Sequence, residues 1–375
     1  MSLYDLPAYV AGGFIHTIVP FLFVMTVIVF FHELGHFLVG RWCGVRVSTF
    51  SIGFGPEIWG WNDRHGTRWR VALLPLGGFV RFFGDADAAS TPDLESAAGM
   101  SREEKAVSFI FQPVWKRFLI VLAGPVASIL LGVVIFSSNA YLFGRLVLIP
   151  KVASVMADSA ADVAGFQAGD IVLSVEGQPV ESFIDLQRIV GMNAGVALHF
   201  RVQREATELA LVATPRSELR ESIAGQRRMG VLGISAARDE TTIQIRQETL
   251  AGAIGFGFRQ SWEVIASSGD FIAGLFSGRS SPDQLSGPIG IAKMSGEVAK
   301  SGVSALIGFA GLISVSIGLL NLMPIPLLDG GHLVLYGVEA LRKRALNQRA
   351  TDFIFRIGLA FILCLTLFSL YIDLR

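Results

Sequence analysis

The sequence predicts a polytopic α-helical membrane protein with about four transmembrane helices, a β-rich connection after the first of them and a separate α+β domain in mid-chain. Composition supports the membrane class, because 52% of the 375 residues are hydrophobic, 17% are charged and the mean hydropathy is +0.55. Soluble proteins are less apolar and more charged than this. The formal net charge is +0, so the chain presents no overall field that would attract nucleic acid.

Each predicted span is a run of about 20 mainly apolar residues, the length that crosses the hydrocarbon core of a bilayer. The runs cover about 14–40, 114–142, 303–323 and 353–370. A further apolar stretch, Leu250–Phe276, contains Arg259, Glu263 and Asp270, so we expect an amphipathic or interfacial helix there. No basic region precedes the first run, which favours a retained span over a cleaved signal peptide.

These runs divide the chain into membrane helices and the connections between them. The predicted segments are a first transmembrane helix (1–44), a β-rich membrane-associated loop (45–113), a second transmembrane helix (114–144), an α+β domain (145–238), an amphipathic segment (239–302), a third transmembrane helix (303–345) and a fourth (346–375). Arginine and lysine cluster in the first and third connections, which places both in the cytoplasm. The α+β domain then lies on the opposite side of the membrane.

The first connection has the pattern of β-strands. Residues Val45–Pro56 and Thr67–Phe82 partly alternate polar and apolar side chains, with glycine and proline between the runs. Their many aromatic side chains are typical of a membrane interface. The acidic, alanine- and serine-rich stretch Gly84–Glu104 that follows predicts a mobile segment.

Residues from about Lys151 to Ala236 are predicted to form a small soluble domain. The predicted elements are strands at Val152–Val155, Val196–Arg204 and Glu208–Pro215, a hairpin over Ile171–Val180 and a helix over Phe183–Met192. Short strands with few helices favour a small, partly open β-barrel.

The most specific chemical signal is His32-Glu33-Leu34-Gly35-His36, at the end of the first apolar run. Positions i and i+4 share one face of a helix, so His32 and His36 can hold a zinc ion while Glu33 acts on a bound water. A chance match would leave three ionisable side chains in a membrane helix without a purpose, at a large cost in free energy. We therefore predict an intramembrane zinc site with Glu33 as its base.

A catalytic zinc site takes three protein ligands, so one more must come from elsewhere in the chain. Two prolines, Pro324 and Pro326, interrupt the segment that leads from the third run to Asp329. Unwound backbone at membrane depth is tolerated where it is buried in protein or lines a cavity. Asp329 is therefore the candidate third ligand and His332 a weaker one, although the same residues also suit an ordinary polar turn.

Three motifs together resemble the site-2 protease family of intramembrane zinc metalloproteases, and their order resembles its bacterial RseP-type branch. The motifs are HELGH in the first run, Ala123-Gly-Pro-Val-Ala-Ser128 in the second, and Asn321 with Pro324, Pro326 and Asp329-Gly330 after the third. The resemblance implies one Zn²⁺ ion held by His32, His36 and Asp329, with Glu33 as catalytic base. It implies substrate binding at Asn321, Ser128, Pro324 and Pro326. Ser128 stands where the family usually has asparagine.

The mid-chain domain resembles a single PDZ domain, notably at Ala164-Gly165-Phe166 and Gly169-Asp170. The β-rich connection resembles the membrane-associated β-loop of the family, which is thought to pair with extended substrate. The resemblance implies a multi-pass protease of a bacterial inner membrane, with its zinc site toward the cytoplasm and its PDZ-like domain in the periplasm. The implied substrates are single-span membrane proteins of the anti-sigma factor type, or remnant signal peptides.

Two other function classes remain open from the residues alone. One is a non-catalytic membrane scaffold that binds peptides through the PDZ-like domain, and the other is a metal transporter that uses the histidines and aspartate as transit ligands. The intact base Glu33 argues against the scaffold. A single ligand set with an adjacent base, and no second polar helix, argues against the transporter.

Overall fold

The computed structural model describes residues 6–85, 99–222, 225–236, 242–278, 287–344 and 347–374. Its helices are α1 (Leu6–Trp42), α2 (Arg102–Val107), α3 (Val114–Phe143), α4 (Ala160–Val163), α5 (Phe183–Met192), α6 (Leu250–Phe276), α7 (Pro288–Lys300), α8 (Val303–Leu322), α9 (Asp329–Arg342) and α10 (Gln348–Leu374). Its strands are β1 (Val47–Asn62), β2 (Arg68–Phe82), β3 (Arg145–Leu148), β4 (Val152–Val155), β5 (Ile171–Val175), β6 (Gln178–Pro179), β7 (Leu198–Arg204), β8 (Thr207–Ala213), β9 (Arg216–Ser222), β10 (Gly225–Val231), β11 (Ile234–Ala236) and β12 (Ile243–Arg246).

Four of the described helices are long and apolar enough to cross a membrane. They are α1 over His16–Trp42, α3, α8, and α10 over Arg349–Leu374. This confirms the predicted polytopic helical membrane protein with about four spans. Helix α6 forms as one continuous 27-residue helix but is not among these four.

The chain divides into two compact units. The first consists of Met1–Asn139, Ile254–Ser268 and Ser281–Arg375, and the second of Ala140–Ala253 and Gly269–Ser280. The apolar helices therefore contribute to the first unit, and most of the strands to the second.

In the first unit, α1 packs closely against α8 and α3. Ile28 of α1 is fully buried in a cluster that includes Phe309 and Ile313 of α8. A β-carbon added at Gly35 would lie 2.4 Å from the carbonyl oxygen of Ala123 in α3. Glycine at this position therefore lets the backbones of α1 and α3 approach directly, as small residues do between membrane helices.

The sheet of the first unit is made by only two long, bent strands. Thr49 in β1 lies opposite both Arg68 and Arg81 of β2, so the first half of β1 lies between the two halves of β2. The lateral order is thus residues 57–62, 68–72, 49–52 and 78–82. Residues 57–62 and 78–82 form the edges, and no other strand in the described ranges pairs with them.

The second unit is built around an antiparallel sheet of order β6-β5-β7-β8, against which α5 packs. The predicted hairpin turn forms at Glu176 and Gly177, which both have positive φ (50° and 74°), as a two-residue hairpin loop requires. Three two-stranded ribbons accompany the sheet: β3 with β12, β4 with β11, and β9 with β10. A bridge between Lys151 and Ile171 also joins the residue before β4 to β5. The expected small, partly open β-barrel stays a prediction.

Asp170, within the predicted PDZ-like motif, forms an ion pair with Arg204 inside this unit. Its side chain is fully buried and accepts two hydrogen bonds from the Arg204 guanidinium, at 2.7 and 2.9 Å, and one from the backbone N–H of Gln167. Burial alone would raise the pKa of the Asp170 carboxyl, but these hydrogen bonds outweigh it and hold the pKa below its usual range.

The predicted mobile segment Gly84–Glu104 overlaps a helix at its C-terminal end. Helix α2 begins at Arg102, because Ser101 and Glu104 form a reciprocal capping box that satisfies two backbone N–H groups. Residues 86–98, which make up most of the predicted segment, lie outside the described part of the chain.

Candidate metal centre and active site

Helix α1 supplies the two histidines of the HELGH motif. His32 and His36 lie one turn apart on a single face, with ring centroids 4.9 Å apart. Both are buried, at 9% and 8% exposure. The motif therefore gives two imidazoles on one face, as the spacing predicts.

The third ligand, the carboxylate of Asp329, comes from a distant part of the sequence. Helix α8 ends at Leu322, and α9 begins at Asp329 after a turn that contains both prolines. Leu327 in this turn has φ of +76°, a conformation that costs a residue with a side chain roughly 1–3 kcal/mol. A β-carbon at Gly330 would meet the carbonyl oxygen of Met323 at 2.2 Å, so the turn can close tightly only over glycine.

The three side chains meet at the spacing of a tetrahedral zinc site. His32 Nε2 lies 3.3 Å from His36 Nε2, and Asp329 Oδ2 lies 3.2 Å from the former and 3.5 Å from the latter. A zinc ion about 2.0–2.2 Å from each atom would hold tetrahedral ligands about 3.3–3.6 Å apart. Among the described residues, no group donates a hydrogen bond to the buried Asp329 Oδ2. Because a buried oxygen of this kind needs a partner, the three residues fit a zinc ion.

The far nitrogens of both imidazoles are held by α3. His36 Nδ1 lies 2.8 Å from the carbonyl oxygen of Ile120. A carbonyl can only accept, so Nδ1 carries the proton and Nε2 of the neutral ring presents its lone pair to the cluster. His32 Nδ1 lies 3.0 Å from Ser128 Oγ.

Gly124 makes room for the His36 ring. A β-carbon at this position would lie 2.1 Å from His36 Nε2 and 2.5 Å from Cε1. The backbone of α3 thus forms one wall of the metal site. This gives the Ala123-Gly124-Pro125 motif a physical reason that sequence analysis did not supply.

A cavity of about 190 Å³ opens on the three ligands. Glu33 lines it and is half-buried. Its position next to the ligands, on the same helix, is the one that a base acting on a bound water needs.

The other predicted site residues take different positions. Asn321 lines the cavity, whereas Ser128 lies behind His32 and is fully buried. Pro324 is exposed, and Pro326 packs against α10, where a β-carbon at Gly358 would come within 2.4 Å of its Cβ. The substrate-binding roles of these four residues stay predictions.

Several cavity residues were not predicted from the sequence. Gly78, Phe79, Val80 and Phe82 reach the cavity from the edge of the sheet, and Val121, Leu327 and Tyr336 reach it from the helices and the turn. His332, the weaker candidate ligand, also lines the cavity but is not one of the three side chains that cluster as a metal site. Tyr336 lies under the guanidinium of Arg117, 4.9 Å from the ring centroid, and Arg117 pairs with Glu339 at 2.7 Å. In the sequence, Tyr336 and Glu339 are polar residues three positions apart, so they share one face of α9. This spacing could have indicated that the face lines a cavity.

Comparisons with known proteins agree with this geometry. The model of the family described as Peptidase family M50 matches residues 20–365. A protein of Rhizobium meliloti that is provisionally named a zinc metalloprotease is 45% identical over 361 residues, which cover 96% of this chain and 96% of the relative. The metalloprotease MmpA of Caulobacter vibrioides is 38% identical over 386 aligned residues, covering 97% of this chain and 96% of that protein.

Proposed function

Because the chain belongs to peptidase family M50, the site-2 proteases, and is a zinc metalloprotease of that type, we propose that it cleaves single-span membrane proteins within their transmembrane segments. The observation that carries the proposal is the ligand set itself. His32 and His36 lie on a helix long and apolar enough to cross a membrane, and the Asp329 carboxylate lies within 3.5 Å of both. A soluble substrate would not require such a location.

Zinc, when bound, polarises the scissile carbonyl and activates water for attack on it. Glu33 takes a proton from the water whose oxygen bonds to the carbonyl carbon. It passes this proton to the amide nitrogen as the C–N bond breaks, which leaves a carboxyl group and an amine. Asn321 and His332 line the same cavity and can present N–H groups to the carbonyl oxygen as it gains charge. His32, His36 and Asp329 hold the ion, so none of them serves as the base.

A transmembrane helix hides its peptide bonds in internal hydrogen bonds and must unwind before attack. The edge strand 78–82 is well placed to receive the unwound segment, because Gly78, Phe79 and Val80 line the cavity. In the described ranges, no other strand pairs with this edge. We propose that substrate is held there by strand addition.

We propose a bacterial inner-membrane location, with the first and third connections in the cytoplasm, because arginine and lysine cluster in both. The second unit would then be periplasmic. We propose that it is a single PDZ-like domain, and its cavity of about 250 Å³ between α5 and residues 229–234 supports peptide binding. Leu186 and Val190 of the helix line this groove, as apolar anchors for a bound strand would require. The proposed substrates are of the anti-sigma factor type or remnant signal peptides.

The test is cleavage of synthetic single-span peptides, a signal-peptide remnant among them, by the full-length protein in liposomes. We expect the wild type to cleave, a chelator to abolish cleavage and added zinc to restore it. Glu33→Gln should retain zinc and lose cleavage by several orders of magnitude. Glu297→Gln is the matched control, because Glu297 is exposed and pairs with Lys300 on α7.

Cleavage by Glu33→Gln at the wild-type rate would refute the assignment of the base. Proline at position 78, 79 or 81 should slow cleavage while zinc content stays normal. Position 80 is left unchanged, because the Val80 backbone N–H donates a hydrogen bond to Glu33. Proline at Ile58, on the opposite edge of the sheet, should have little effect. An equal loss of cleavage rate for proline at either edge would contradict strand addition at 78–82.

A further inference from the structure

Ser128 touches the zinc site from behind. Its Oγ lies 3.0 Å from His32 Nδ1, and the residue is fully buried. It is not among the residues that line the catalytic cavity. A residue in this position contacts a metal ligand and does not face the space that a substrate would occupy.

The contact determines what His32 can offer to a metal. An imidazole that donates its Nδ1 proton to an oxygen keeps the lone pair of Nε2 free, and Nε2 is the atom that faces His36 and Asp329. Ile120 does this for His36 through a backbone carbonyl, which can only accept. For His32 the partner is a side-chain hydroxyl, which can accept or donate, so the tautomer of this ring depends on the residue type at position 128.

Neighbouring helices hold Ser128 in place. Ser314 of α8 donates a hydrogen bond from its Oγ to the Ser128 carbonyl oxygen at 2.7 Å. A β-carbon at Gly318, one turn further along α8, would lie 3.1 Å from Ser128 Cβ. Helix α8 thus packs against the Ser128 backbone and Cβ.

We propose that Ser128 is a positioning residue of the metal site, which accepts the Nδ1 proton of His32 and thereby orients the ring and fixes its tautomer for zinc. This inference deepens the assignment of the zinc site and rests on it. It does not depend on which substrate is cut. It also replaces substrate binding as the role of the residue that stands at the family's usual asparagine position.

The test is the zinc affinity of the full-length protein, measured by competition with a chromophoric chelator. Ser128→Ala leaves a buried N–H without a partner, and we expect zinc to bind about 10–100-fold more weakly. Ser137→Ala is the control, because Ser137 lies on the same helix and its Oγ donates a hydrogen bond to the Val133 carbonyl of that helix. It should bind zinc as the wild type does.

The visible spectrum of the cobalt-substituted protein gives a readout that general packing would not move. Ser128→Ala should shift the cobalt bands, and Ser137→Ala should leave them unchanged. Ser128→Cys nearly preserves the shape of the side chain but offers a weak acceptor, so it should change affinity and spectrum in the same direction even if the alanine variant does not fold. Wild-type affinity and spectrum in Ser128→Cys, or an equal loss in Ser137→Ala, would overturn the proposal. Because peptide cleavage is not measured, failure here is distinct from failure of the proposed proteolysis.

Discussion

Gly124 lies directly against the imidazole of His36, so closely that a β-carbon there would fall 2.1 Å from Nε2. We predict that Gly124→Ala displaces the ring and lowers zinc affinity by at least about 10-fold, within the range of losses caused by disturbing the groups around a metal ligand. The measurement is zinc content after dialysis against a buffered free-zinc series. Gly132→Ala is the matched control, since it also creates a close contact on α3, but with the side chain of Val315 at 2.3 Å and not with a ligand. Both variants should lose stability, and only Gly124→Ala should lose zinc.

Asp329→Asn is predicted to remove the metal. The carboxylate is the only charged ligand of the three, and its Oδ2 has no hydrogen-bond donor among the described residues to compensate for burial. We expect zinc affinity to fall by more than the roughly 100-fold upper end of second-sphere losses. Elemental analysis of the purified protein measures this, with Asp158→Asn, an exposed aspartate of the second unit, as the control. Full zinc occupancy in Asp329→Asn would mean that the third ligand lies elsewhere.

Asp373 is predicted to anchor the C-terminal end of α10 to the start of α7. Its carboxylate accepts hydrogen bonds at 3.0 Å from the backbone N–H groups of Gly287, Ile289 and Gly290. Loss of such a cap costs about 0.5–2 kcal/mol, so Asp373→Ala should increase hydrogen exchange at the first turn of α7 roughly 2–30-fold. The hydrogen-exchange rate of Asp373→Asn should lie between those of Asp373→Ala and the wild type, because an amide oxygen accepts hydrogen bonds but carries no charge. Asp270→Ala, on the exposed face of α6, should leave this exchange unchanged.

The ion pair of Asp170 and Arg204 should make the stability of the second unit depend on pH. The folded pKa of Asp170 lies below that of the unfolded chain, which is about 3.9. Its contribution is therefore complete above about pH 4 and is lost as pH falls through the lower, folded pKa. Asp170→Asn should destabilise β7 and β8 by about 1.5–3 kcal/mol at pH 7. Hydrogen exchange of these strands is the measurement, and the gap between variant and wild type should narrow at pH 3. A gap of constant size would contradict this account.

The local sequence pattern was sufficient to predict a helix where the residues of that helix alone specify it. Phe183–Met192 forms a helix with the predicted bounds, and the apolar run that carries HELGH forms one helix through Trp42. These segments contain their own periodicity and, for α5, their own cap at Ser182.

Pairing between distant segments could not be predicted in the same way. In the ribbon of β3 and β12, Arg145 lies opposite Arg246, and neither segment has a sequence pattern that identifies the other as its partner. The arrangement of β1 and β2 as four side-by-side segments likewise depends on where the two long strands bend. At the metal centre, all three ligands were named from the sequence, but the wall formed by Gly124 could not be predicted, because it depends on how closely α1 approaches α3.

The ligand set joins His36 to Asp329, which lie far apart in the sequence, and this has a consequence for biosynthesis. At about 5–20 residues per second, the ribosome completes Asp329 about 15–60 seconds after His36. A nascent chain therefore enters the membrane with two histidines and no third ligand. The complete ligand set, and with it the metalloprotease activity, exists only once Asp329 has been made, so a product truncated before that residue lacks the third ligand.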